Sequence, residues 1–394
     1  MPIYLDNNAT TPLDPAVREA MLPFLNEQFG NPSSSNHAYG WQAKMAVEEA
    51  RKKVAKLFNC RPQEVIWTSG ATESNNLAIL GVVCALRAAD CNEKPHFITQ
   101  ATEHKAVLEV FERAQDLGAE TTVLPVNSQG QIEMAELKKA LRPQTRLISI
   151  MAANNEVGTI QPLAEIAELC RENKIIFHSD AAQAAGKCSL DFAKLPIDLL
   201  SLSGHKMYGP KGVGALIYRP INRDFKLKPL FAGGEQELGL RPGTLNVPAI
   251  VGLGKACEIF SENYQAECAR LCKMRDQIIT SVLKAAPFVR LNGSKDSERL
   301  CNNVSFSIPG LVADDLADAL TGIAYSSGSA CNSSNPKPSH VLKAMGYPDK
   351  LALSTIRLGI GRMTTESDIS TLIDKLLKLL AEMSPSNSNG TVVN

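Results

Sequence analysis

No stretch of this 394-residue chain stays apolar for the 18 or so residues that a membrane-spanning helix needs. Its first residues, MPIYLDNNATTP, lack a basic region followed by an apolar one, so no secretion leader is expected and the chain reads as cytoplasmic. Net charge is missing too. The 41 basic and 41 acidic residues cancel, and like charges form no run. That balance excludes the footprint of a nucleic-acid binder or of a protein held on an anionic membrane. Among the 10 cysteines there is no C-x-x-C and no grouping with histidine at zinc spacing, so no metal site is expected. A disulfide framework is not expected either. Cys268 and Cys272 lie four apart in a helical stretch, while Cys60, Cys84, Cys170, Cys188, Cys257 and Cys301 read as small buried hydrophobes. Neither a Walker sequence nor G-x-G-x-x-G occurs, which argues against nucleotides and dinucleotides, and no internal repeat is visible.

What is present is a regular alternation. Asp14-Pro15 opens a helix over 16–24 and a second follows at 39–58. Strands are then expected at 65–68, 96–99, 120–125, 147–152, 175–179 and 199–203, with helices at 75–87, 105–117, 134–141 and 163–172 between them. Short, wholly apolar strands between helices of about a dozen residues imply an α/β fold with a mainly parallel sheet covered on both faces. Past about residue 250 the pattern changes to a long helix (251–285), then strand, helix and strand (304–308, 313–320, 353–358) and a last helix (366–383), which reads as a smaller α+β domain. The Ser/Asn-rich tail 384–394 is expected to be disordered.

In open parallel sheets ligands bind beyond the carboxyl ends of the strands, so the residues following each apolar run carry the functional reading. After 65–68 comes Ser69-Gly70-Ala71-Thr72, a small-residue turn opening a helix, which suits a phosphate. After 96–99 comes His104, placed to stack on a planar ring or shuttle a proton. After 175–179 comes Asp180, a buried carboxylate that needs a cation or a donor such as a protonated pyridine nitrogen. After 199–203 comes Lys206, in a loop dense with glycine and proline, where a lysine serves as a Schiff-base nucleophile. Thr72 could be a mere helix cap, Asp180 likewise, and His104 a surface residue. Together the four supply the parts that a pyridoxal 5'-phosphate (PLP) site requires.

The motifs LDNNATTP (5–12), FGNPSS (29–34), TSGATESNNLAI (68–79), TEHKAV (102–107), NNEVGTIQP (154–162), SDAAQAAGK (179–187), SGHKMYGPKGVG (203–214), RPGT (241–244) and SSGSAC (326–331) resemble the PLP-dependent cysteine desulfurases of the NifS/IscS type, class V aminotransferases of fold type I. The resemblance covers residues 3–383. It implies a seven-stranded, mainly parallel sheet in a large PLP-binding domain (13–258), a small domain from 1–12 and 259–383, and a homodimer. Residue by residue it implies Lys206 as the PLP-bearing lysine, Asp180 at the ring nitrogen, Gln183 at the ring hydroxyl and His104 on the ring face. It implies Ala71, Thr72, Ser203 and His205 around the phosphate, with Thr244 given by the other subunit, and Asn155 and Arg357 on the substrate, Arg357 forking onto its carboxylate. Ala232, Pro242 and Gly359 depart from the usual residues of the family, Gly359 standing where serine is common.

The polar run 326–338 holds Cys331 among Ser, Gly, Asn and Pro, so it is expected to be mobile and Cys331 to be a reactive thiol. The resemblance implies that Cys331 takes sulfur from L-cysteine, leaving L-alanine, and passes it to an iron–sulfur scaffold or another acceptor protein. An aminotransferase, a cystine lyase or a selenocysteine lyase on the same fold would not need Cys331. A catalytically silent scaffold would need none of Lys206, Asp180, His104 and Arg357.

Overall fold

The computed structural model describes residues 2–88, 93–220, 225–327 and 337–383. In chain order the strands are β1 (Ile3–Tyr4), β2 (Val65–Thr68), β3 (His96–Gln100), β4 (Glu120–Leu124), β5 (Thr145–Ser149), β6 (Ile176–Asp180), β7 (Leu199–Ser203), β8 (Gly214–Tyr218), β9 (Arg290–Leu291), β10 (Asn303–Ser307), β11 (Ile323–Ala324), β12 (Ser326–Ser327) and β13 (Thr355–Gly359). The helices are α1 (Pro15–Leu25), α2 (Ala38–Phe58), α3 (Ala71–Ala88), α4 (Lys105–Asp116), α5 (Met134–Ala140), α6 (Leu163–Glu172), α7 (Val247–Ala285), α8 (Ala313–Ala319), α9 (His340–Ala344), α10 (Asp349–Leu353) and α11 (Glu366–Glu382).

A sheet of seven strands in the order β2-β8-β7-β6-β5-β3-β4 carries the first two thirds of the chain. Only β8 runs against its neighbours, β2 and β7; the other pairings are parallel. Alternation along the strands explains their wholly apolar sequences. Ile98, Ile148, Phe177, Leu200 and Ile217 point into one core with α2 and α6, while Phe97, Leu147, Ile176, Leu199 and Leu216 point into the other with α3 and α4.

Three differences from the sequence expectation have physical causes. The expected helix at 75–87 begins four residues earlier, at Ala71, because the polar residues of its first turns are buried rather than loop-like: Ser74 Oγ lies 2.8 Å from Thr68 Oγ1. The apolar run at 147–152 leaves the regular strand after Ser149, although Ile150 N and Ala152 N still donate to His178 O and Asp180 O on β6. Strand β8 was not expected at all, since its five residues follow directly on the glycine-rich loop.

The remaining strands form a four-stranded antiparallel sheet, β12-β13-β10-β9, and a parallel pair, β1-β11. Their core includes Leu5, Val304, Phe306, Ile356 and the apolar face of α11. Helix α7, 39 residues and so roughly 58 Å long, serves both cores. Val247 to Phe260 pack under the large sheet, and Leu271 to Val282 pack in the smaller core.

Candidate active site

Strand β7 ends at Ser203 and the chain turns through the single 3-10 turn Gly204–Lys206. Lys206 Nζ donates to the carbonyls of Asn8 and Ala9, both at 2.6 Å. Burial pushes this amine down to about 7; Lys187 and Arg357 add to the push, and Asp6 and Asp180 oppose it. A lysine in such surroundings is a nucleophile and a base at neutral pH.

Asp180, the last residue of β6, is 5 % exposed. Asn75 Nδ2 on α3 donates to its Oδ2 at 2.7 Å, and Ala182 N donates to its Oδ1 at 2.9 Å. One turn on, Gln183 Nε2 donates to Asn8 O at 2.8 Å. Beneath Asp180, His178 spans three strands, with Nδ1 2.7 Å from Ser149 Oγ and Nε2 2.9 Å from Ser201 Oγ. Burial pushes this imidazole down to about 3, so it is a neutral crosspiece of the sheet.

Beyond β2, Gly70 takes φ +155° and α3 opens immediately. The turn lies against Gly214, where an added Cβ would sit 2.3 Å from Leu202 O and 2.6 Å from Gly70 Cα. The amides of a helix's first turn have no partner within the helix, so this end of α3 is a donor array. His205 faces it. Its Nδ1 lies 3.1 Å from Thr10 Oγ1, and burial pushes the ring down to about 4, with Lys206, Lys211 and Lys187 adding.

His104 caps α4, its Nδ1 accepting from Ala106 N at 3.1 Å. Withdrawal from water lowers the ring below its ordinary value; Asp180 and Glu156 oppose this, Lys206 and His340 add to it. The ring is thus a neutral imidazole with Nε2 as its N–H. The neighbouring Glu103 is wholly buried. Met151 N and Gln100 Nε2 donate to its Oε1 at 2.6 and 3.0 Å, and its Oε2 has no partner among the described residues. Burial pushes its carboxyl up to about 8.

A cavity of about 610 Å³ joins these strand ends. Ala71, Thr72, His104, Asn155, Asp180, Gln183, Ser203, His205 and Lys206, all expected from the sequence, line it. So do Thr10, Met151 and Lys211, which were not expected. A second cavity of about 600 Å³ shares His104 and Asn155 with the first and contains Arg357 and His340. Arg357 is engaged from three sides: Asn155 O accepts from Nη1 at 3.2 Å, and Asp6 Oδ1 and Ser326 Oγ from Nη2 at 3.0 and 2.6 Å. Its buried Nε has no partner among the described residues. Thr244 is exposed and lines neither cavity. Cys331 lies outside the described residues, as does 328–336 of its run and the tail 384–394.

The donor set fits PLP. A buried carboxylate held by two donors suits a pyridinium nitrogen, a lysine titrating near 7 suits an aldehyde, and a helix start flanked by His205 and Lys211 suits a phosphate. Among the described residues no group of three or more His, Cys, Asp or Glu is placed to hold a metal ion, and no helix is long and apolar enough to cross a membrane.

Gly359 also has a structural reason. A Cβ there would lie 2.4 Å from Asn8 Oδ1 and 2.6 Å from Asn8 N, so the N-terminal segment that carries the Lys206 acceptors lies too close for serine.

Known proteins share this chain's sequence and fold. The sequence profile of the aminotransferase class-V family matches residues 3–372. A human cysteine desulfurase is 46% identical over 388 residues, covering 98% of this chain and 83% of the human protein. A solved NifS-like protein superposes with a TM-score of 0.87 at 37% identity, covering 97% of this chain and 100% of that one. A structure described as SspA in complex with cysteine has a TM-score of 0.79 at 38% identity, covering 91% of this chain and 98% of that one. This chain belongs to the class-V aminotransferases, within the branch of the cysteine desulfurases.

Proposed function

We propose that this PLP-dependent cysteine desulfurase converts L-cysteine to L-alanine and collects the sulfur as a persulfide on Cys331. The observation that carries the reading is the junction of two cavities. One holds a lysine titrating near 7 opposite Asp180, the other an arginine with an unpartnered Nε, and His104 and Asn155 belong to both.

In this reading Lys206 would hold the aldehyde end of PLP, Asp180 its ring nitrogen, Gln183 its ring hydroxyl and His104 its face. Ala71, Thr72, Ser203 and His205 would hold the phosphate, with Thr244 reaching it from a second subunit. When bound, PLP supplies a sink for the electron pair released at the substrate Cα. Arg357 and Asn155 orient the substrate carboxylate, Arg357 through the donors its fork retains. The neutral Lys206 amine takes the Cα proton, which its position near 7 allows without a change of pH. The Cys331 thiolate attacks the substrate sulfur; the C–S bond breaks, its electron pair stays with the alanine fragment, the new S–S bond forms, and the fragment is then protonated, a step the Nε2–H of His104 would assist as a hydrogen-bond donor.

The same reading includes a homodimer, a division into 13–258 and 1–12 plus 259–383, and delivery of the sulfur to an iron–sulfur scaffold or another acceptor in the cytoplasm. The passage of α7 from one core to the other between Phe260 and Leu271 supports the division. Support for the dimer comes from large apolar side chains left in water: Phe29 is 70% exposed, Met45 71% and Leu238 76%.

Cys331→Ser tests the reading. With L-cysteine, wild type is expected to release alanine and carry one added sulfur on the Cys331 peptide. The variant should release neither sulfur nor alanine while keeping its yellow colour. Sulfide release by the variant at the wild-type rate would refute the role of Cys331, and a colourless wild type after PLP addition would refute the cofactor site.

A further inference from the structure

Behind the cofactor loop lies a second group of chemically active side chains. Cys301 Sγ donates to Cys268 Sγ across 3.7 Å, and Cys268 Sγ in turn donates to the carbonyl oxygen of Lys187 at 3.7 Å. Cys188 and Cys272 flank the pair closely enough for their charges to be felt by Cys268 or Cys301. Lys187 is 8 % exposed, and its Nζ donates to Gln183 O at 3.2 Å and Lys206 O at 3.4 Å. Lys187 thus sits on the reverse side of the loop that presents Lys206, near enough for its charge to be felt by Cys268 and Cys301. Cys301 is buried and Cys268 half-exposed, so only one of the pair meets solvent directly. Cys301 belongs to the smaller core and Cys268 packs against it, so the two thiols meet at the edge of an apolar surface.

We propose that Cys268 and Cys301 form a modification site for hydroperoxides, with Cys268 as the attacking thiol and Cys301 as the resolving one. The hydrogen bond from Cys301 lowers the Cys268 thiol below its ordinary value, while that same bond and burial raise Cys301 well above its own, and Cys268 is the one of the two that meets solvent. The Cys268 thiolate attacks one peroxide oxygen; the O–O bond breaks, hydroxide leaves and takes a proton to become water, and Cys268 becomes a sulfenic acid. Cys301 sulfur then attacks the Cys268 sulfur, the S–O bond breaks, and the departing hydroxyl leaves as a second water with the Cys301 proton. Two thiols are oxidised by two electrons and one peroxide is reduced to two waters. The sulfurs must close from 3.7 Å to a bond of about 2.05 Å, the range of a side-chain rotation at half-exposed Cys268.

The test uses the PLP-loaded protein. After one equivalent of hydrogen peroxide, blocking of free thiols and digestion without reductant, a Cys268–Cys301 cross-linked peptide is expected, separating into its two halves with dithiothreitol. Before oxidation, iodoacetamide at pH 7 should alkylate Cys268 faster than Cys272 on the same helix, since the first is lowered and the second raised from the ordinary thiol value. A Cys301→Ser variant that folds should accumulate Cys268 sulfenic acid, trapped by dimedone, in place of the cross-link; the wild-type alkylation rates decide the question if it does not fold. A bridge from Cys268 to Cys188 or Cys272, sulfinic acid on Cys268 without a cross-link, or alkylation of Cys268 no faster than that of Cys272 would overturn the proposal.

Discussion

A lysine amine that titrates near pH 7 is half neutral where an ordinary lysine is almost wholly charged. Capture of PLP by cofactor-free protein, fixed with borohydride and read as added mass on Lys206, is accordingly expected to rise through about pH 7 and level off above 8. A midpoint near 10 would mean that the Asn8 and Ala9 carbonyls do not hold the amine as described. Glu103 gives a second, signed expectation. Its carboxyl is pushed up from 4.5 to about 8, so between those values the folded protein binds more protons than the unfolded one and its stability falls as pH rises. Glu103→Gln removes that loss, and the variant should gain urea resistance relative to wild type progressively from about pH 5 to 8. An unchanged difference across that range would contradict the assignment. The groups that act through their own side chains at strand ends, Lys206, Asp180 and His104, were legible in the sequence because strand and loop composition placed them. Asn8 and Ala9 were not, since they act through carbonyls; nor were Lys211, Asn75 and the Cys268–Cys301 contact, since only folding brings them to their partners.

At the level of elements, the strand order explains why the turn at Gly70 is where it is. β8 inserts antiparallel between β2 and β7, and its first residue, Gly214, is registered with both Thr68 and Ser203. A side chain at that position has backbone on both sides, so Gly214→Ala must push the turn at Gly70 away from Ser203. The expected outcome is a loss of PLP affinity of tenfold or more, about 1.4 kcal/mol, in protein whose circular dichroism is unchanged; unaltered affinity would show that the turn does not depend on this contact. The parallel strands were legible because burial on both faces makes them continuously apolar. β8 is equally apolar but follows glycines whose turn signals mask its start, and β1, β9, β11 and β12 are two-residue pairings with no period to read.

Across the whole molecule, α7 shares its apolar residues between two cores, so neither core can lose its packing without stripping one half of the same helix. Calorimetric unfolding of the cofactor-free protein is expected to give one transition; two resolved transitions would mean that the cores fold independently. The N-terminal strap has a different consequence, which concerns time. Ile3 pairs with Ile323, Asn7 N donates to Gly359 O, and Asn8 and Ala9 accept from Lys206. Residues of the strap thus find their partners some 200 to 350 positions later in the chain, and contacts so distant in sequence form slowly. Until residues 323 to 359 have been made the strap lacks its strand partner and its anchor at Gly359, so the segment whose carbonyls hold the Lys206 amine is fixed only once the smaller core has formed.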